Sequence, residues 1–134
     1  MEIRFITWEE TIPLRQSVLW PNKSHEYCHV DGDIDGLHFG AFIQEELVCV
    51  ASVYLTLNKA RLRKFATHKY YQHQGIGSKM LSHIIKSLKS RHVSHLWCDA
   101  RESAIDFYKR FDMQTCSARF YKIDVPFFKM EVAL

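Results

Sequence analysis

Hydrophobic and polar positions follow two different periods along this chain, and these periods predict its secondary structure. Strand-like segments, either alternating or continuously apolar, number seven. They are residues 2–7, 37–43, 47–57, 60–66, 94–100, 115–121 and 127–132. Short polar turns join the second, third and fourth segments, so we expect an antiparallel meander there. A turn at Asp124, Val125 and Pro126 separates the last two.

A helical period of 3.6 residues appears in three other segments. These are residues 8–19, the stretch that begins after Gly77, and residues 104–111. The middle helix carries one apolar stripe, formed by Met80, Leu81, Ile84, Ile85 and Leu88. The predicted order is therefore β-α-βββ-α-β-α-ββ, which is an α/β fold.

Length and composition limit the classes of protein that need to be considered. A chain of 134 residues is long enough for one core and too short for two, so we expect a single domain over residues 1–134. The net charge of +3 is weak and its Lys and Arg are scattered, which argues against a nucleic-acid partner. No apolar stretch approaches the ~18 residues of a membrane span, and the N-terminus has no signal pattern, so no membrane partner and a cytoplasmic location are expected.

The most informative segment links a strand to the middle helix. It contains Gln72-x-x-Gly75-x-Gly77 directly before the apolar stripe. Such a loop directs backbone N–H groups toward one place, and the helix N-terminus adds about half a positive charge there. Glycine allows close approach, so a diphosphate is the expected guest. A dinucleotide fingerprint would need a third glycine where Met80 stands, and a Walker loop is absent.

This pattern resembles the Q/R-x-x-G-x-G/A signature of the GCN5-related N-acetyltransferase (GNAT) superfamily, which holds the pyrophosphate of acetyl-coenzyme A there. The resemblance extends over nearly the whole chain and implies the acyl-CoA N-acyltransferase fold, a mixed and mostly antiparallel sheet with helices on both faces. It also implies a set of cofactor-binding residues, with the first three lining the acetyl and pantetheine arm through main-chain atoms. They are Phe65, Ala66, Thr67, Gln72, His73, Gln74, Gly75, Ile76, Gly77 and Ser78.

A second family motif, A-x-x-F-Y-x-x-x-G-F, is matched in part by Ala104, Phe107 and Tyr108. Asp112-Met113 replaces its Gly-Phe, and Arg101 stands where many members have Asn near the pantetheine. Within the superfamily the chain is most similar to the small ElaA-type bacterial acetyltransferases. That similarity rests mainly on R-x-x-V-L from Arg15, D-x-D-G from Asp33 and a following histidine, His38.

The resemblance implies an acetyl-CoA-dependent N-acetyltransferase in which a primary amine attacks directly, without a covalent enzyme intermediate. Tyr108 would be the general acid that protonates the leaving thiolate. The base is left open, with Asp99, Glu102 and His38 as alternatives that are each better explained by structural roles. The acceptor is expected to be a small molecule or an exposed amine, and a homodimer stays open. The alternative is a non-catalytic acyl-CoA-binding or regulatory module.

Two patterns suggest metal sites but fit them poorly. Residues 31–36 begin like an EF-hand loop, yet its twelfth position is Phe42 and no helix pair flanks it, so we interpret the segment as a turn. His25, Cys28 and His29 offer three ligands without an obvious fourth. The four cysteines have neither C-x-x-C nor disulfide-framework spacing. We therefore expect no metal.

Overall fold

A computed structural model describes all 134 residues of the chain. The chain forms two compact units. The N-terminal unit comprises residues 1–54 and 62–84, and the C-terminal unit comprises residues 55–61 and 85–134. No helix is long and apolar enough to cross a membrane.

The N-terminal unit begins with strand β1 (Glu2–Ile6) and helix α1 (Trp8–Leu14), which continues as a π-helical turn over Arg15–Leu19. Thr7 begins the helix with a capping box. Its hydroxyl accepts the Glu10 N–H at 3.3 Å, while the Glu10 carboxylate accepts the Thr7 N–H at 3.0 Å. The predicted helix over residues 8–19 is therefore present, in two hydrogen-bonding forms.

Strands β2 (Leu37–Ile43) and β3 (Glu46–Thr56) form an antiparallel hairpin, and β1 pairs antiparallel with β2. The core of this unit contains the buried Leu14, Val50 and Ala66. Four partly buried apolar side chains pack against that cluster: Ile6, Val18, Leu19 and Leu47. Burial of this cluster against β3 anchors the helix that precedes the polar loop of residues 20–36.

Strand β4 (Lys59–Thr67) leads to a 3₁₀ turn over Lys69–Tyr71 and then to helix α2 (Ile76–Ser90). The predicted apolar stripe of α2 is confirmed, because Met80, Leu81, Ile84 and Leu88 are fully buried. Ile85 lies at the edge of that stripe and is only half-buried.

In the C-terminal unit, the start of β4 pairs in parallel with β5 (His95–Arg101). Strand β8 (Val125–Ala133) pairs antiparallel with β5, and this pairing extends over the whole length of β5. Helix α3 (Ile105–Lys109) follows β5 after a 3₁₀ turn at Glu102–Ala104. The sheet is therefore mixed and mostly antiparallel, as predicted.

The prediction of one strand over residues 115–121 is wrong. Two short strands, β6 (Gln114–Thr115) and β7 (Phe120–Lys122), pair separately with β8. Between them, the Ser117 hydroxyl accepts the backbone N–H of Lys129 at 2.9 Å. This side-chain bond takes the place of a strand–strand bond and lets the chain bulge away from the sheet.

The predicted turn at residues 124–126 is also displaced. The hairpin turns at Ile123 and Asp124, with φ of 46° and 65°, and Val125 already pairs with Lys122. Two consecutive positive φ angles are the mark of the tight two-residue hairpin. Pro126 is accommodated near the beginning of the strand, where a missing N–H is tolerated.

Candidate active site

A backbone irregularity in β4 lies directly before the segment assigned to the acetyl arm. Lys64 has a φ of 56°, which is unusual for a side-chain-bearing residue inside a strand. Its ammonium lies 4.3 Å from the centre of the Trp20 ring. The parallel register between β4 and β5 ends before this point, at Arg61 and Trp97. Phe65, Ala66 and Thr67 are therefore the last residues of a strand that bends at Lys64.

Three contacts hold the end of β4 and the following turn against β3. The Thr67 hydroxyl donates to the Cys49 sulfur at 3.4 Å, and the His68 N–H donates to the Val48 carbonyl at 2.8 Å. The Tyr71 hydroxyl donates to the Glu46 carboxylate at 3.0 Å, and this bond raises the pKa of Tyr71. These contacts with β3 fix the backbone from which the predicted cofactor loop begins.

Both glutamines of the loop turn their side chains onto the backbone. Gln72 Nε2 donates to the Thr67 carbonyl at 3.0 Å, and Gln74 Nε2 donates to the Tyr70 carbonyl at 3.1 Å. These bonds occupy carbonyl oxygens on the loop and stabilise its curvature. The side chains of Gln72 and Gln74 therefore act as braces for the loop.

The beginning of α2 has the geometry of an anion cradle. Gly75 has a φ of 80°, and a Cβ added to it would meet no atom within 4 Å. The first bond into the helix runs from the Lys79 N–H to the Gly75 carbonyl at 3.1 Å. The N–H groups of Ile76, Gly77 and Ser78 precede that bond and have no partner within the helix. At the positive end of a helix of 15 residues, they fit a diphosphate.

His73 lies in the same loop with a φ of 61°, so two residues with positive φ, His73 and Gly75, shape the approach to the helix. The Ile76 side chain is buried, which leaves its N–H as its contribution to the cradle. Whether these residues bind the cofactor stays a prediction, in which the backbone N–H groups after Gly75 are the donors.

Tyr108 lies on α3 in the C-terminal unit, hydrogen-bonded to the Cys98 thiol on β5. Burial raises the pKa of Tyr108 well above its usual value near ~10, and the Cys98 sulfur raises it further. Burial likewise raises the pKa of Cys98, to about 12. Both groups are therefore protonated at neutral pH, and the Tyr108 hydroxyl directs its proton to the Cys98 sulfur.

The end of α3 explains how Asp112 replaces the usual glycine. Asp112 adopts the left-handed conformation with a φ of 64°, and its N–H donates to the Lys109 carbonyl at 3.0 Å. Aspartate enters this conformation more readily than most residues. The helix that carries Tyr108 therefore ends in the expected way despite the substitution.

The three alternatives for a base each have partners within their own unit. Asp99 accepts hydrogen bonds from Arg61 and Lys122, both at 3.0 Å, and Glu102 accepts one from Arg119 Nε at 2.8 Å. His38 is buried, and both of its ring nitrogens are hydrogen-bonded. A structural role accounts for each of them.

One cluster was missed by the sequence reasoning. Arg15 is fully buried, and its guanidinium contacts the carboxylate of Asp33 and the hydroxyls of Ser52 and Tyr54. The segment interpreted as a turn does contain a 3₁₀ turn, at Asp33–Asp35. The sequence does contain a pattern that includes Arg15, Asp33 and His38 of this cluster, but that pattern was interpreted only as a resemblance to a family. No three His, Cys, Asp or Glu side chains converge closely enough to hold a metal ion.

Sequence comparison identifies the family of this chain. The family model described as acetyltransferase (GNAT) domain matches residues 20–134. An uncharacterised N-acetyltransferase of Bacillus subtilis (strain 168), YitI, is 30% identical over 138 residues, which cover 94% of this chain and 89% of that protein.

Solved structures share the fold at lower identity. The ribosomal-protein-S18-alanine N-acetyltransferase of Escherichia coli superposes with a TM-score of 0.83 at 20% identity, covering 98% of this chain and 92% of that one. Escherichia coli ElaA gives 0.84 at 14% identity, covering 98% and 99%. A GNAT family acetyltransferase from Elizabethkingia anophelis, solved with acetyl-CoA bound, gives 0.77 at 15% identity, covering 99% and 97%. The chain therefore belongs to the GCN5-related N-acetyltransferase superfamily and is an N-acetyltransferase.

Proposed function

We propose that this enzyme transfers the acetyl group of acetyl-CoA to a primary amine, and that the amine attacks directly without a covalent enzyme intermediate. The proposal rests on the cradle at the beginning of α2. The space beside Gly75 is open, and the N–H groups of Ile76, Gly77 and Ser78 have no partner within the helix. When bound, acetyl-CoA supplies an activated acetyl thioester.

The loop of residues 73–78 would hold the pyrophosphate through its N–H groups, with the positive end of α2 adding to the attraction. The braces from Gln72 and Gln74 would hold the loop in the conformation that presents those groups. Backbone groups of Phe65, Ala66 and Thr67 would line the acetyl and pantetheine arm and polarise the carbonyl. Each of these contacts uses the main chain, so the loop shape matters more than its side chains.

Tyr108 would turn its hydroxyl from Cys98 toward the leaving sulfur and donate a hydrogen bond to it, which modifies the role of general acid expected for it. Its hydroxyl already donates to one sulfur, that of Cys98, and its raised pKa keeps it protonated throughout the physiological range. A thiol with a pKa of about 8.5 is a stronger acid than this phenol. The main contribution of Tyr108 is therefore a hydrogen bond that stabilises negative charge on the sulfur as the bond to the acetyl carbon breaks.

The acceptor class that we propose is a small molecule or an exposed amine. An amine with a lysine-like pKa near ~10.4 is mostly protonated at neutral pH, and neutralising it costs about 4 to 5 kcal/mol. Since Asp99, Glu102 and His38 all have structural partners, water is the simplest route for that proton. The rate should then rise with pH as the fraction of neutral amine grows.

The decisive experiment measures thiol release with acetyl-CoA and a panel of single amines, amino-acid derivatives and a Lys-rich peptide. Calorimetry with acetyl-CoA runs in parallel. Binding with amine-dependent thiol release supports the proposal, and a product mass increase of one acetyl group identifies the acceptor. Tight binding with no release from any amine would instead favour a non-catalytic acyl-CoA-binding module.

A further inference from the structure

Lys64 of the N-terminal unit has a strained backbone directly before the segment proposed to line the acetyl arm. Its φ is 56° inside β4, and Phe65 is the next residue. Leu62 and Ala66, two positions away on either side, are buried, so a regular strand would bury Lys64 with them. Lys64 is instead only half-buried. The unusual φ therefore keeps the ammonium out of the core, and strain of this kind is often found at functional sites.

The Lys64 ammonium lies on an aromatic surface formed by the loop after the π-helical turn. It is 4.3 Å from the centre of the Trp20 ring. The Tyr27 ring packs edge-on against Trp20, with a centroid distance of 5.3 Å and an interplanar angle of 89°. The Lys23 ammonium lies 5.0 Å from the centre of the Tyr27 ring. Two cations and two aromatic rings thus form one continuous surface that reaches β4 at Lys64.

Three hydrogen bonds fix this part of the loop. The Lys23 N–H donates to the Trp20 carbonyl at 3.0 Å, and Gln16 Nε2 donates to the Lys23 carbonyl at 2.7 Å. The Tyr27 N–H donates to the Ser24 hydroxyl at 3.2 Å. The surface is therefore formed before a ligand arrives, so binding does not have to order the loop.

The charges around Lys64 favour a negatively charged guest. Burial raises the pKa of the Cys28 thiol, and the positive charges of Arg15 and Lys64 oppose that rise. The Arg15 charge is matched by Asp33 in the buried ion pair. Glu26 lines a pocket against the first turns of α1, to which Lys64 does not contribute. An anion is therefore attracted to the surface at Lys64, and a second cation is repelled.

The position of Lys64 relates this charge to the proposed reaction. Its ammonium is carried on a flexible four-carbon stem, and its backbone is adjacent to that of Phe65. The ammonium therefore lies within the length of an amino-acid-sized molecule from the acetyl arm. We propose that Lys64 determines specificity by binding a carboxylate of the amine acceptor, while the Trp20 ring contacts the apolar part of that acceptor. This inference rests on the acetyl transfer proposed above and narrows its acceptors to amines that carry a carboxylate.

The test compares 4-(aminomethyl)benzoate with 4-(aminomethyl)benzamide, which has a similar shape and the same aminomethyl group but no negative charge. One exposed charge pair is worth up to about 1 kcal/mol, so calorimetry without acetyl-CoA should show about fivefold tighter binding of the acid. Lys64→Met should reduce that preference to about one, because it keeps the apolar stem and removes the charge. Lys64→Arg should retain the preference. Lys59→Met, at the exposed beginning of the same strand, is the matched control and should also retain it.

Steady-state kinetics with acetyl-CoA separates specificity from a structural role. Lys64→Met should raise KM for the acid about fivefold at unchanged kcat, because the carboxylate is bound equally in the substrate and the transition state. KM for the amide should stay the same. Equal changes for the acid and the amide would mean that Lys64 only supports the fold, and would overturn the inference.

The binding measurement also distinguishes this inference from the proposed function. Equal affinity of the wild type for the acid and the amide, or a preference that persists in Lys64→Met, would overturn the role of Lys64 even if amines are acetylated. Failure of both probes to bind would overturn it as well. A preference that is lost in Lys64→Met, together with no acetylation of any amine, would support the carboxylate site and refute the proposed acetyl transfer.

Discussion

Arg15 and Asp33 form a bidentate ion pair from which water is excluded. Arg15 Nη1 donates to Asp33 Oδ2 at 2.8 Å and Nη2 donates to Oδ1 at 3.1 Å, and both side chains have 0% exposure. The pair connects the π-helical turn after α1 to the polar loop. Breaking a buried pair is more costly than never having formed it, because one charge is left without compensation.

His38 extends this connection toward β3. Its Nε2 lies 2.7 Å from the Asp33 carbonyl, which can only accept, so this nitrogen carries the proton. Its Nδ1 can then accept from the Ser52 hydroxyl at 2.7 Å, and that oxygen in turn accepts from Arg15 Nη2 at 2.9 Å. These three donors each have an acceptor, whereas the buried Nε of Arg15 has none. The network therefore fixes one position of the loop end relative to β3.

Asp33→Asn should destabilise the fold by about 3 to 5 kcal/mol, because the substitution keeps the volume but leaves the Arg15 charge buried without its counter-ion. Chemical denaturation monitored by tryptophan fluorescence measures this change. Asp31→Asn and Asp35→Asn are matched controls, since both carboxylates are exposed on the same loop. They should change the free energy of unfolding by less than about 0.5 kcal/mol. A similar loss in all three variants would contradict the role assigned to the pair.

The same pair should make stability dependent on pH in the acid range. Burial raises the pKa of Asp33, but hydrogen bonds from Arg15, Tyr54 and the Val30 N–H outweigh it and lower the pKa from 3.8 to about 2. A depressed pKa in the folded state stabilises the protein above the unfolded pKa, and that stabilisation is lost as pH falls toward 2. The difference in unfolding free energy between wild type and Asp33→Asn should therefore shrink by about 2 kcal/mol between pH 5 and pH 2. A constant difference over that range would show that folding does not lower the pKa of Asp33.

Local patterns in the sequence were sufficient for most of the elements and for the glycine loop before α2. The stripe of α2 and the two glycines lie within one short segment, and their physical meaning depends on neighbours in the chain. The pairing of Arg15 with Asp33 depends instead on side chains 18 residues apart, together with Ser52 on another strand. A helical pattern assigns a polar side chain to solvent, so the burial of Arg15 could not be obtained from periodicity.

The same reasoning explains the errors near the C-terminus. The strand predicted over residues 115–121 has suitable residue types, but the Ser117 hydroxyl bonds to the Lys129 backbone on β8. Such a bond between distant segments cannot be inferred from a local sequence pattern. The sequence also predicted only part of the candidate site. The roles of Gln72 and Gln74 as braces depend on which carbonyls their side chains reach, and a local pattern does not give that information.

Gln72→Leu should weaken acetyl-CoA binding, because the Gln72 side chain braces the backbone before the loop. The substitution removes the bond to the Thr67 carbonyl and allows the loop to relax, so we expect a loss of about five- to tenfold, equivalent to one hydrogen bond. Calorimetry gives the affinity. Gln16→Leu is the matched control, because Gln16 makes the same kind of bond to the Lys23 carbonyl at 2.7 Å in a different loop. Equal affinities of wild type and Gln72→Leu for acetyl-CoA would show that the Gln72 bond does not contribute to binding.

Tyr108→Phe should lower turnover by roughly 10²-fold or more while acetyl-CoA affinity is retained. The ring keeps its packing against Phe107, at a centroid distance of 5.1 Å, and only the hydroxyl is removed. Thiol release at saturating substrate measures the effect. Tyr121→Phe, at an exposed position, is the control and should behave as wild type. Wild-type turnover of Tyr108→Phe across the pH range would leave Tyr108 as a packing residue bonded to Cys98.

Gly75→Ala should separate the cost of backbone strain from the cost of blocking the cradle. Gly75 has a φ of 80°, so a side chain there strains the backbone by about 1 kcal/mol. Its Cβ would meet no protein atom within 4 Å, so the added methyl group would occupy the space proposed for the pyrophosphate. We expect a modest loss of stability together with at least a tenfold loss of acetyl-CoA affinity.

Gly32→Ala is the matched control for this prediction. Gly32 has a φ of 90°, and its added Cβ would lie at an ordinary contact distance of 3.7 Å from Tyr54, so the strain is similar but lies away from the loop. Thermal unfolding and calorimetry on both variants give the comparison. Similar destabilisation with loss of affinity only in Gly75→Ala would support the cradle. Parallel behaviour of the two variants in both measurements would mean that affinity follows stability alone, and the pyrophosphate would have to bind elsewhere.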